Sequence, residues 1–156
     1  MEFLVERFFA LLPRYAAAGA APFHPAGETF HARLAREEVR VFECADGGTP
    51  VNSAEVPAAR ASALPGIWCR GVPLHSSWTD VEVPLRRFHE LLVPHGVLAV
   101  GFDGTAPAVP LLDRAGFDLV GRFPGAGGVE YLLGTKRADC CSGRRRILHD
   151  RSGFTD

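Results

Sequence analysis

The sequence predicts an α/β fold with a mostly parallel sheet that ends in a carboxyl-terminal antiparallel hairpin, and three observations predict it. Residues 66 to 104 read as a buried strand, a loop, an amphipathic helix and a second buried strand. That is one strand-helix-strand crossover, the connection that parallel strands require. Residues 117 to 134 read as two strands around Gly125-Ala126-Gly127-Gly128, a hairpin pattern. The 156 residues, 47% of them apolar, suffice for one domain with its own core.

Taken in order, residues 2 to 12 set Leu4, Val5, Phe8, Phe9 and Leu12 on one face of a short helix. Pro13 ends it, because proline has no amide to donate. Core packing is the expected role of this face. Tyr15 to Ala21 is alanine-rich and fits helix or loop. Phe30 and Leu34, among polar neighbours, mark another helix, and Val39-Arg40-Val41-Phe42-Glu43 alternates as a strand that ends on an acid. Asp46-Gly47-Gly48-Thr49-Pro50 is a turn signal, and residues 51 to 65 show no long apolar period. A loop with at most one short strand is expected there.

Ile67-Trp68-Cys69 opens the crossover as a short apolar strand. Val81, Leu85, Phe88 and Leu92 then recur at helical spacing with Arg86, Arg87, His89 and Glu90 between them. Thr79 or Asp80 is the expected N-cap, and Pro94 with Gly96 the stop. Val97 to Phe102 is apolar without alternation, as a strand covered on both faces should be. Leu111, Leu112 and Ala115 predict a short helix closed by Gly116, ahead of the hairpin. The domain is expected to span residues 1–137, with 138–156 a mobile tail carrying Cys140-Cys141 and the basic run Arg144-Arg145-Arg146. Ligands of an open α/β sheet gather at the carboxyl ends of its strands. Residues 70–80 and 103–107 are therefore the loops of interest.

Several separated motifs resemble one family. Gly66-Ile67-Trp68-Cys69-Arg70 with Leu74-His75, then Leu91-Leu92-Val93-Pro94-His95-Gly96-Val97-Leu98, is similar to the second half of small bacterial class I S-adenosylmethionine-dependent methyltransferases. Those read roughly D-G-I-W-A-x-x-x-L-L-H and then L-x-P-G-G-x-L. Leu111-Leu112-Asp113-Arg114-Ala115-Gly116-Phe117 resembles their "LLxxAGFxxV" segment, and Val129 to Gly134 their closing antiparallel strand. The resemblance covers residues 64–137 and implies a Rossmann-like methyltransferase sheet, abbreviated in its amino-terminal half.

What the resemblance implies for function follows residue by residue. The cofactor would be S-adenosylmethionine, held near Gly27, Glu43 and Cys69, and the methyl acceptor a small molecule. In that family a first strand, a glycine-rich turn and a first helix come early, where this chain has residues 21 to 36. Gly27 is the one glycine there, and Pro22 and Pro25 remove two amide donors. The strand ending at Glu43 would be the second, its acid accepting hydrogen bonds from ribose hydroxyls. Pro65 stands where the acid of D-G-I-W is expected. His75 is the candidate general base, with an unperturbed pKa near ~6.5, or else a partner for loop backbone. Trp78 would wall the acceptor pocket or pack under the loop.

The weakened cofactor turn opens an alternative: a catalytically inactive methyltransferase-like protein that serves as an interaction or regulatory subunit. Such a protein would meet a protein partner through an apolar patch, or form a homodimer through a sheet edge. An ordinary dinucleotide-binding domain ranks behind both, since G-x-G-x-x-G is absent.

Charge and cysteine usage narrow the classes. A net charge of −1 argues against nucleic acid, which needs a basic face. No apolar run approaches the ~20 residues of a membrane helix, and Glu2, Glu6 and Arg7 break the pattern of a signal peptide. A cytoplasmic protein without membrane contact is expected. The four cysteines lack the paired spacing of a zinc site, and His24, His31, His75, His89 and His95 are isolated, so no metal is expected.

Overall fold

The computed structural model describes residues 1–43, 63–73, 78–103 and 108–138. They form an α/β unit around a five-stranded mixed sheet of order β1-β2-β3-β5-β4. The strands are β1 (Arg40–Glu43), β2 (Leu64–Pro73), β3 (Leu92–Asp103), β4 (Phe117–Pro124) and β5 (Val129–Lys136). β1, β2 and β3 run parallel, and β5 inserts antiparallel between β3 and β4. The helices are α1 (Glu2–Leu11), α2 (Pro13–Ala18), α3 (Phe30–Arg36), α4 (Trp78–Leu91) and α5 (Ala108–Arg114).

Strand alternation splits the core in two. Ile67, Cys69, Leu98, Val100 and Leu132 point to one face, where α4 and α5 bring Leu85, Phe88, Leu91, Leu111 and Leu112. Trp68, Val97, Ala99, Tyr131 and Leu133 point to the other, where Leu4, Phe8, Phe9, Leu12, Tyr15 and Leu34 cover them. Helices thus lie on both faces, which is why β3 is apolar without alternation.

The amino-terminal helix follows its predicted stripe. Leu4, Phe8 and Phe9 are buried, and Leu12, with φ −53° and ψ 138°, breaks the chain out of α1. Pro13 ends α1 and also starts α2, since a first-turn amide has no intrahelical partner to lose. The alanine-rich stretch is helical as far as Ala18, and Gly19 caps it at φ 61°. Gly66 lets this layer approach the sheet, because a Cβ there would stand 2.9 Å from Leu12 Cδ2 and 3.0 Å from Phe8 Cζ.

Two expectations need correction. No strand forms before β1: residues 20–29 are irregular, with Pro22 and Pro25 in them and Gly27 in a turn at φ 77°. β1 is therefore the first strand in chain order, and it pairs directly with β2, through Arg40 with Ile67 and Phe42 with Cys69. Finally, the crossover helix runs from Trp78 to Leu91, and strand pairing begins at once with Leu92 opposite Leu64. Pro94 and Gly96 lie in a bulge that ends where Val97 pairs with Gly66, with His95 at φ 63°. Lys136 Nζ, buried, donates to the Leu92 carbonyl at 2.9 Å and ties β5 to the start of that bulge.

Candidate functional site

A cavity of about 600 Å³ opens on the α1–α3 face, near the carboxyl ends of the parallel strands. Its floor comes from the sheet: Trp68 and Arg70 in the later part of β2, and Tyr131, whose partner is Gly101 near the end of β3. Gly101 makes room, since a Cβ there would meet Tyr131 Cε1 at 3.0 Å. The first turns of α1 supply Glu2, Val5 and Glu6, and α3 with the preceding turn supplies Phe30, Arg33, His24 and Glu28.

Local sequence explains each wall. Thr29 caps α3 by accepting from the Ala32 amide at 3.2 Å, so the helix starts at the cavity rim. Phe30, Arg33 and Leu34 then share one face. Arg33 therefore occupies a core-facing position although it is charged, and it is only 2% exposed. Its Nη1 donates to Glu6 Oε1 at 2.7 Å, and its guanidinium lies 4.0 Å over the Phe9 ring. The Arg33 hydrogen bond, with its charge, holds the Glu6 carboxyl below its ordinary range despite burial.

A second network fixes the turn. Arg36 donates to both oxygens of Glu28, at 2.7 and 3.0 Å, and to the Phe23 carbonyl at 2.9 Å. Those hydrogen bonds keep Glu28 below the usual carboxylate range and push Arg36 up. His24 Nδ1 lies 3.5 Å from Glu28. Behind the turn, the fully buried Glu37 accepts from Arg36 at 2.9 Å and from the Tyr15 hydroxyl, which joins α2 to α3.

The sequence-predicted residues distribute unevenly around this cavity. Gly27 belongs to the turn whose ends, His24 and Glu28, line it. Glu43 is the last residue of β1 and pairs in register with Arg70, a lining residue. Cys69 does not reach the cavity. It lies one position from both Trp68 and Arg70, so strand alternation turns it into the α4–α5 cluster, where it is fully buried. Trp78 is the first residue of α4, just after the carboxyl end of β2, and His75 lies outside the described residues. Among the described residues no group of His, Cys, Asp or Glu could hold a metal ion.

Arg70 opens one of the two stretches marked by the sequence, whereas Arg33, Glu6, Glu28 and Tyr131 are not marked by it. For Arg33 a signal existed, a charge set between Phe30 and Leu34 on the helix's apolar stripe. For Tyr131 none did, because only the register of β2, β3 and β5 brings it beside Trp68 and Arg70.

No protein-family model matches the chain, and no curated protein matches it. Solved structures show partial likeness. A carbon methyltransferase, CurJ, is 14% identical over 51% of this chain and 31% of its own, with a TM-score of 0.41. The [4+2]-cyclase SpnF is 12% identical over 56% of this chain and 54% of its own, with a TM-score of 0.43. A putative sarcosine dimethylglycine methyltransferase from Galdieria sulphuraria is 14% identical over 55% of this chain and 57% of its own, with a TM-score of 0.40. The chain therefore spans less than two thirds of each, and the site is read from its own geometry. No helix among the described residues is long and apolar enough to cross a membrane.

Proposed function

We propose that this chain binds S-adenosylmethionine and catalyses methyl transfer to a small molecule. The observation that carries this reading is the cavity's place, near the carboxyl ends of β2 and β3, roofed by α1 and α3. That edge is where open α/β sheets hold ligands. A volume near 600 Å³ suits a small organic molecule.

The chain's own residues fit such a cofactor in kind. Glu43, at the end of β1, is the carboxylate to accept two hydroxyl hydrogen bonds. Gly27 gives a place for close approach, at the cavity rim. Trp78 follows β2 and is the candidate wall of the acceptor pocket, with His75 the candidate base. Once bound, S-adenosylmethionine supplies a methyl group already activated on a sulfonium. The residues then have to hold the acceptor in line and keep water out, and a dedicated base is optional.

Pro22 and Pro25 lie in an irregular stretch and take no amide from a strand. The inactive interaction subunit stands as the second reading. Titration calorimetry with S-adenosylmethionine and S-adenosylhomocysteine tests the reading. Micromolar binding is expected, weakened at least tenfold in Glu43→Ala, since a charged acceptor is worth about 1.5–3 kcal/mol. Absence of heat at millimolar ligand overturns the reading and turns attention to protein partners or a homodimer.

A further inference from the structure

The cavity wall holds an arginine whose hydrogen-bonding capacity is only partly used. Arg33 lines the cavity at 2% exposure, and its guanidinium carries five N–H donors in a fixed fork. Glu6 takes Nη1 at 2.7 Å and lies 3.5 Å from Nη2, a long second contact. Nε is buried and has no hydrogen-bond partner among the described residues. A planar, bidentate anion is the group that complements an incompletely paired guanidinium.

Of the acids on the described wall, Glu6 is engaged by Arg33, Glu28 by Arg36 and His24, and Glu2 stands apart in the first turn of α1. Arg70 brings a second cation to the same wall. Between these cations the surface is aromatic. Phe30 and Trp68 meet edge to face with centroids 5.1 Å apart, and Trp68 and Tyr131 stand 5.8 Å apart. Flat faces and edges of this kind accept a planar ring.

We infer that the cavity takes a small aromatic carboxylate, its acid group on Arg33 and its ring on the Phe30–Trp68–Tyr131 surface. The inference deepens the methyl-transfer reading, rests on it only for calling this ligand the methyl acceptor, and seats that acceptor on this wall and not at Trp78.

Calorimetric titration of the full chain with 2-naphthoate, 2-naphthamide and 2-naphthylmethylamine separates the head groups on one ring. Naphthoate is expected to bind at least tenfold tighter than the amide, with the cationic amine weakest. Arg33→Met is expected to bring naphthoate and amide to equal affinity. Should that variant fail to fold by circular dichroism, Glu6→Gln decides instead. It removes the competing carboxylate and is expected to tighten naphthoate several-fold while leaving the amide unchanged. The inference is overturned if the amine equals or exceeds naphthoate, if no probe binds, or if Glu6→Gln weakens naphthoate. S-adenosylmethionine titrated into the same preparation keeps the two readings apart. Naphthoate selectivity without cofactor binding leaves the pocket inference standing and removes the enzyme, and the reverse result removes only the aromatic acid.

Discussion

Glu6 holds Arg33 in the cavity wall through its carboxylate. Its carboxyl is held below the ordinary value of 4.5, first by the hydrogen bond from Arg33 and then by that cation's charge. A depressed folded-state pKa means the unfolded chain takes up the proton first. The stabilisation is thus fully present above about pH 4.5 and is lost as pH falls through the lowered folded value. Glu28 and Glu130 shift the same way, through Arg36 and Arg122. Because Glu6 and Glu130 are well exposed, their effects are small. Thermal melts from pH 7 to pH 3 are expected to show a downward slope that is shallower in Glu6→Gln. Equal slopes in the two proteins would sink the assignment. At this same scale the sequence spoke unevenly. The strand end at Glu43 is legible because the strand alternates, and the burial of Cys69 because its strand is apolar, whereas the face that Cys69 takes depends on register. Arg33 was missed because charge is ordinarily a mark of the surface.

Elements were more legible than their arrangement. The stripe of α1, the crossover helix α4 and the β4–β5 hairpin follow from local periodicity, which a short window contains. The place of β1 does not, since pairing across the sheet is decided between residues far apart in sequence. β2 was underestimated for a different reason: Pro65, Gly66, Gly71 and Pro73 interrupt its apolar pattern, yet the strand runs from Leu64 to Pro73. The junction between α5 and β4 shows how an element end is fixed. Gly116 takes φ 95°, and a Cβ there would stand 2.7 Å from His89 Nε2 of α4. Its carbonyl accepts from the Arg137 amide at 2.8 Å, so the turn cannot relax without releasing the end of β5. Gly116→Ala is expected to cost about 2 kcal/mol, measured by urea unfolding. Adding His89→Ala should recover the steric part and leave the dihedral part, giving a nonzero coupling between the two substitutions.

For the molecule as a whole, the sheet separates two tasks. The α4–α5 side is a closed apolar cluster, and the α1–α3 side is a cluster that opens into the charged cavity. Leu85→Ala on the first side and Leu4→Ala on the second are each expected to cost about 2–5 kcal/mol. Both residues are fully or almost fully buried. With the strands between them, the double variant should lose close to the sum, within about 0.5 kcal/mol. A larger departure in denaturant unfolding would mean that the sheet transmits strain from one layer to the other. Ligand affinity offers the sharper contrast, for only the Leu4 change borders the cavity wall and should alter binding.

The hinge at Leu12 and Pro13 gives this layout a temporal side. α2 is fastened to α3 through Tyr15 and Glu37, while α1 leaves that anchor at an extended Leu12 and lies over the cavity with Phe3 largely in solvent. Amide protons of α1 are therefore placed to exchange with deuterium ahead of those in β2 and β3, and an occupant of the cavity should slow that helix's exchange more than the sheet's.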